Sequence, residues 1–143
     1  MKIITEENLK TWRRHLHQNP ELSLKEYKTK EFLISVLDEY GIDYKETLET
    51  GLVIILNANN ETKDTVLYRA DIDALPIQEE NNIDFKSQID GVMHACGHDG
   101  HTTMLLGSVI EAADYYKNNN TYVNSIFVFQ PAEENEAGGM LMY

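Results

Sequence analysis

An α/β layered domain is the fold class this sequence predicts, and three observations predict it. Helical periodicity dominates residues 5–41, and short apolar runs of strand length follow at 51–56, 65–68 and 122–129. A further helical stretch from about Gly100 separates the last two runs. Helices first, then strands alternating with a helix, make a layered arrangement, and no linker, repeat or low-complexity tract divides the chain.

Thr5 is placed to cap the first helix, with Glu6 and Glu7 complementing its N-terminal dipole. Leu9, Trp12 and Leu16 share one face, and Pro20 marks the end. Ser23 and Glu26 form a capping-box pattern that predicts the start of a second helix. Its predicted apolar stripe is Leu24, Tyr27, Phe32, Val36 and Tyr40, and Gly41 stops it. Gly51–Leu56 reads as a strand, Asn59-Asn60 as a turn and 65–68 as a second strand, the expected antiparallel partner of the first. Residues 73–91, punctuated by Pro76, Asn81-Asn82 and Asp90-Gly91, read as loop. The third helix runs from near Gly100 through Met104, Leu105, Val109, Ile110 and Ala113, and a strand at 122–129 halts before Pro131.

The 143 residues suit one domain. With 24 acidic residues against 12 Lys and Arg, the net charge is −12 and only three arginines are present, so a phosphate-tracking surface and nucleic acid are not expected. No apolar run approaches the roughly 20 residues that span a bilayer. The start, Met1-Lys2-Ile3-Ile4-Thr5-Glu6-Glu7, turns acidic before a signal-peptide core develops, and Cys96 is the single cysteine. A cytoplasmic protein without a membrane partner is the expectation. The chain stops at Met142-Tyr143, just after Gly138-Gly139 and a fresh apolar start, which reads as a truncated end.

Three of the five histidines and the cysteine fall in His94-Ala95-Cys96-Gly97-His98-Asp99-Gly100-His101. In an extended segment i and i+2 share a face, so His94, Cys96 and His98 can point the same way, and thiolate with imidazole suits borderline divalent metals. The same residues also read as a small buried cysteine among ordinary strand-end and helix-start histidines. Glu133-Glu134 follows a strand and Pro131-Ala132. Adjacent carboxylates on a turn diverge, so one can hold a metal while the other takes a proton from water, or both can be exposed acids of an acidic surface. Arg69-Ala70-Asp71-Ile72-Asp73 leaves a strand end, where α/β sites assemble and where Asp also forms plain turns.

Taken in order, 12–23 (WRRHLHQNPELS), 69–77 (RADIDALPI), 91–102 (GVMHACGHDGHT) and 129–134 (FQPAEE) resemble the aminoacylase and carboxypeptidase family of dinuclear metallohydrolases. The resemblance is closest to its amidohydrolase branch, with hippurate hydrolases, N-acetyldiaminopimelate deacetylases and auxin-conjugate hydrolases. It implies a zinc-peptidase-like α/β/α sandwich around a mixed sheet, of which 1–143 is the N-terminal part of the catalytic domain. The inserted dimerisation and lid domain and the C-terminal part would be absent.

The resemblance also implies that Cys96, His98 and Glu134 are metal ligands and Glu133 the general acid/base. Asp71, His94 and His101 stand around the ligands, and His15 and His17 match the motif as structural residues. Arg69 stands where the wider superfamily often has a metal-binding His. Two divalent ions are implied, manganese or zinc, with cobalt or nickel also compatible. The implied reaction is hydrolysis of the amide of an N-acyl amino acid or short peptide. The chain alone is expected to be an incomplete fragment with little activity and with apolar surface inviting homo-oligomers. A catalytically inactive stand-alone binding or regulatory protein is the alternative, and a hydrolase completed across a dimer would have to recruit His94 and His101.

Overall fold

The computed structural model describes residues 3–135 and 138–142; residues 1–2 of the acidic start, 136–137, and 143 at the end of the apolar stretch lie outside them. In chain order the elements are α1 (Glu6–Gln18), α2 (Tyr27–Tyr40), β1 (Lys45–Thr47), β2 (Gly51–Leu56), β3 (Thr65–Asp71), α3 (His98–Asn118), β4 (Asn124–Gln130) and α4 (Gly138–Leu141). This is an α/β fold on a mixed sheet.

Helix α1 starts as expected. The Asn8 amide donates to the Thr5 hydroxyl and the Thr5 amide to the Asn8 side chain, which satisfies two free donors of the first turn. The start of α2 differs from expectation. Glu26 is its N-cap and makes no side-chain capping bond. The Glu21 carboxylate accepts instead from the Lys28 and Thr29 amides at 3.2 and 2.8 Å. Ser23 is drawn away to donate to Asp73 at 2.7 Å. Leu24 therefore lies before the helix, exposed at φ 60°, and Tyr27 is exposed as well. A helix beginning at Tyr27 turns Leu33, Val36, Leu37 and Tyr40 inward, with Gly41 closing it in the left-handed conformation that glycine adopts without steric cost.

The sheet order is β1-β2-β4-β3, with β2 antiparallel to β1 and β4, and β3 parallel to β4. The expected β2–β3 hairpin does not form. Helix α3 supplies the long crossover that a parallel pair needs, so β4 returns beside β3 and enters between it and β2. Leu52, Ile54, Phe127 and Phe129 face Leu105, Leu106, Val109 and Ile110 of α3, and Trp12, Leu33 and Leu37 close the same core. No helix among the described residues is long and apolar enough to cross a membrane.

This topology sets three segment ends side by side. In the parallel register Asp71 stands opposite Gln130, so β3 and β4 release 72–73 and 131–134 at the same edge. Residues 73–91 are mostly loop, as read from the sequence, and paired backbone bonds between Leu75 and Met93, both 3.0 Å, return the chain to that edge. Helix α3 then begins at His98, two residues before the expected start.

Candidate functional site

Each segment end is fixed by buried polar contacts. Gly97, at φ 82°, lets the chain reverse between Cys96 and the first helical residue, His98. After β4, Ala132 is buried at φ 56°, a conformation that costs a non-glycine residue about 1 kcal/mol or more. Its amide donates to Glu26 at 2.9 Å, and Glu26 accepts at 2.8 Å from Thr50, so a fully buried carboxylate holds the turn that aims Glu133 and Glu134. Burial raises the Glu26 carboxyl above its ordinary value against the pull of those hydrogen bonds.

Asp73 joins the segments. Its Oδ2 accepts from the Ser23 hydroxyl at 2.7 Å and from the Glu134 amide at 3.0 Å, while Oδ1 and the Asp73 carbonyl lie 3.2 and 3.0 Å from His98 Nδ1. Burial alone would raise the Asp73 carboxyl, but the bonds from His98, Glu134 and Ser23 outweigh it and hold it down to about 2. The bond to Asp73 in turn raises His98 above the usual imidazole range, against the opposing effect of burial. With Nδ1 engaged, Nε2 of His98 is the nitrogen left to act as a ligand. It lies 3.8 Å from Glu134 Oε1 and 4.0 Å from Glu133 Oε2.

Those spacings are too long for hydrogen bonds and match ligand atoms about 2.0–2.2 Å from a shared ion, which stand roughly 3–4 Å apart. Donor atoms of His98, Glu133 and Glu134 lie within 4.8 Å of one another, as do those of Asp71, His98 and His101. Imidazole with carboxylates suits zinc or manganese, and the Asp73–His98 pair is the oriented imidazole such ions use. The side chains present therefore fit a divalent ion.

Cys96 belongs to neither group of donors. It is exposed and hydrogen bonds Glu134, which raises its thiol above the ordinary value. The expected extended arrangement of His94, Cys96 and His98 is not found, because the segment turns at Cys96 and His94 points inward. Among the described residues neither ring nitrogen of His94 has a hydrogen-bond partner, and Asp99 Oδ1 has none either. Burial pushes His94 down to about 4, against the attraction of Asp99. His17, buried, spans Asp99 Oδ2 at 2.8 Å and Glu79 Oε1 at 3.2 Å, and Arg13 reaches the same Asp99 oxygen at 3.1 Å. His15 is exposed, its ring 4.4 Å from that of Phe32. Asp71 pairs with Arg69 at 2.8 Å.

Sequence reasoning singled out no site role for Asp73, Glu79 or Asp99, and it gave Glu26 a helix-capping role instead. Asp73 carried a signal, its place in the strand-end cluster. Nothing local marks Glu26 for the site, because its partners Thr50 and Ala132 are 24 and 106 residues away.

Residues 67–143 match the sequence profile of Peptidase family M20/M25/M40. An uncharacterized hydrolase of Staphylococcus haemolyticus is 51% identical over 126 residues, 88% of this chain and 32% of that protein. The chain thus spans about a third of the length of such curated relatives. A crystal structure from Bacillus subtilis, described as a dinuclear metal-binding peptidase of the M20 family, superimposes with a TM-score of 0.80 at 38% identity, over 88% of this chain and 35% of that one. A Staphylococcus aureus tripeptidase, 17% identical, shares the fold with a TM-score of 0.65 over 99% of this chain and 40% of its own.

Proposed function

The chain belongs to peptidase family M20/M25/M40, and from that premise we propose that it carries part of the active site of a metal-dependent amidohydrolase acting on N-acyl amino acids or short peptides. The observation that carries the proposal is His98, held through Nδ1 by Asp73 with Nε2 toward Glu133 and Glu134. The motif resemblance supports the amidohydrolase branch, and the dinuclear peptidase of Bacillus subtilis supports two ions, manganese or zinc by donor chemistry.

In this reading Cys96, His98 and Glu134 are ligands. The bound ions supply Lewis acidity, lowering the pKa of water and polarising the scissile carbonyl. Asp73 fixes the His98 tautomer and, through the Glu134 amide, the direction of the Glu133-Glu134 turn. Glu133, the more exposed of the two carboxylates, takes the proton from the attacking water and returns it to the departing amine. His94 and Asp71 stand behind the ligands. A cytoplasmic setting and self-association belong to the same reading.

Elemental mass spectrometry on the gel-filtered chain, with released amino acid assayed on N-acetyl and N-benzoyl substrates, tests it. Cys96→Ser and Glu134→Gln are expected to lose metal. Glu133→Gln keeps its metal and lowers whatever turnover the chain shows by about 10²–10⁴-fold, the usual weight of a general base. Metal content unchanged in both ligand variants overturns the ligand set, and unchanged turnover in Glu133→Gln overturns the base.

A further inference from the structure

We infer that Asp71 and His101 form, with His98, a second cation-binding set that takes a divalent ion such as zinc and competes with the Glu134 side of the site for the same imidazole nitrogen. The inference rests on the reading of His98 as a ligand and, for this second set, makes ligands of His101 and of Asp71, which otherwise stands behind the ligands.

His98 and His101 are three residues apart on the first turn of α3, so they share a face, and their ring centroids are 5.6 Å apart. Asp71 closes β3 against that turn, and its carbonyl accepts from the Thr102 hydroxyl at 3.0 Å, which locks the strand end to the helix start. Donor atoms of the three side chains lie within 4.8 Å of one another. Arg69 occupies Asp71 Oδ1 through both Nε, at 2.9 Å, and Nη2, at 2.8 Å, and no bond from Arg69 takes the other carboxylate oxygen. A cavity of about 570 Å³, lined among others by Tyr68, Arg69, Asp71, His101 and Met104, opens this side to solvent.

One nitrogen decides how the two sets relate. Asp73 engages Nδ1 of His98, which leaves one lone pair, at Nε2, and one lone pair ligates one ion. Occupation of His98 by an ion on the Asp71–His101 side and by an ion on the Glu134 side are therefore mutually exclusive. The adjacent Glu133 and Glu134 carboxylates make that side the more acidic surroundings, while the Asp71–His101 set with His98 offers two imidazoles and one carboxylate, the mixture zinc prefers.

The test is a zinc titration of the chain followed by ¹⁵N NMR of the histidine rings, in wild type and in Glu134→Gln. The backbone amide spectrum serves as the control for folding. Ring-nitrogen shifts at both His98 and His101 in Glu134→Gln are expected, with Asp71→Asn in that background weakening zinc by at least about tenfold, as loss of even a supporting group does. A shift at His98 with none at His101 overturns this inference and leaves the proposed function standing. No shift at either histidine overturns both.

Discussion

Asp73 concentrates the electrostatics of the site in one carboxylate, and its neighbours make the consequence measurable in the ion-free chain. Its carboxyl sits at about 2 in the fold against 3.8 unperturbed, so the stability it contributes is complete above 3.8 and lost as pH falls toward 2. His94 acts higher up. Burial holds it at about 4 against 6.5, so the unfolded chain takes up its proton first and stability falls as pH drops from 6.5 to 4. His98, raised by Asp73, has the opposite sign: its contribution is present below 6.5 and fades as pH rises through its folded value. Urea midpoints measured across this range should fall with acid in two stages. His94→Gln should flatten the stage between 6.5 and 4, and Asp73→Asn the stage below 3.8. An unchanged slope in His94→Gln would show that His94 does not titrate as a buried neutral ring.

Helix α2 shows how an element can be recognised while its buried face is displaced. Ser23 and Glu26 have the spacing of a capping box, yet Ser23 bonds Asp73 and the helix begins at Tyr27 on amides held by Glu21. The inward positions become Leu33, Val36, Leu37 and Tyr40, and Leu24 is left outside at positive φ. Leu33→Ala and Leu37→Ala, both at fully buried positions, should each cost ~2–5 kcal/mol in thermal or urea unfolding. Leu24→Ala should stay within ~0.5 kcal/mol of wild type. A large loss at Leu24 would mean that the helix starts at the Ser23 box after all.

For the whole molecule, ion binding and folding are linked, because the proposed ligands come from three chain ends that meet only in the folded state. An ion that binds the folded chain alone stabilises it by ~2.7 kcal/mol at a hundredfold excess over Kd. In a domain of this size that raises Tm by roughly 5–10 °C, which EDTA should reverse. His98→Ala, which removes the nitrogen common to both donor sets, should show no such rise in calorimetry with zinc or manganese. A Tm indifferent to the ion in wild type would mean that these side chains do not bind it in the folded chain.

By itself the sequence determined the main helices, the main strands and the family. Helical periodicity, the Thr5 cap, the Gly41 stop and the apolar strand runs depend on neighbours a few residues apart, so they are legible along the chain. The four motifs in order carry membership of the peptidase family for the same reason, since residue type and spacing are local. Strand pairing is not local: the sequence matches residues 65–68, the start of β3, to the preceding strand, and only the crossover through α3 brings β4 between them. The contacts that build the site are longer still. Asp73 reaches Ser23 across 50 residues and His98 across 25, and Glu26 reaches Ala132 across 106. Tertiary structure decided these contacts, because a buried carboxylate must find its donors wherever the closed core brings them.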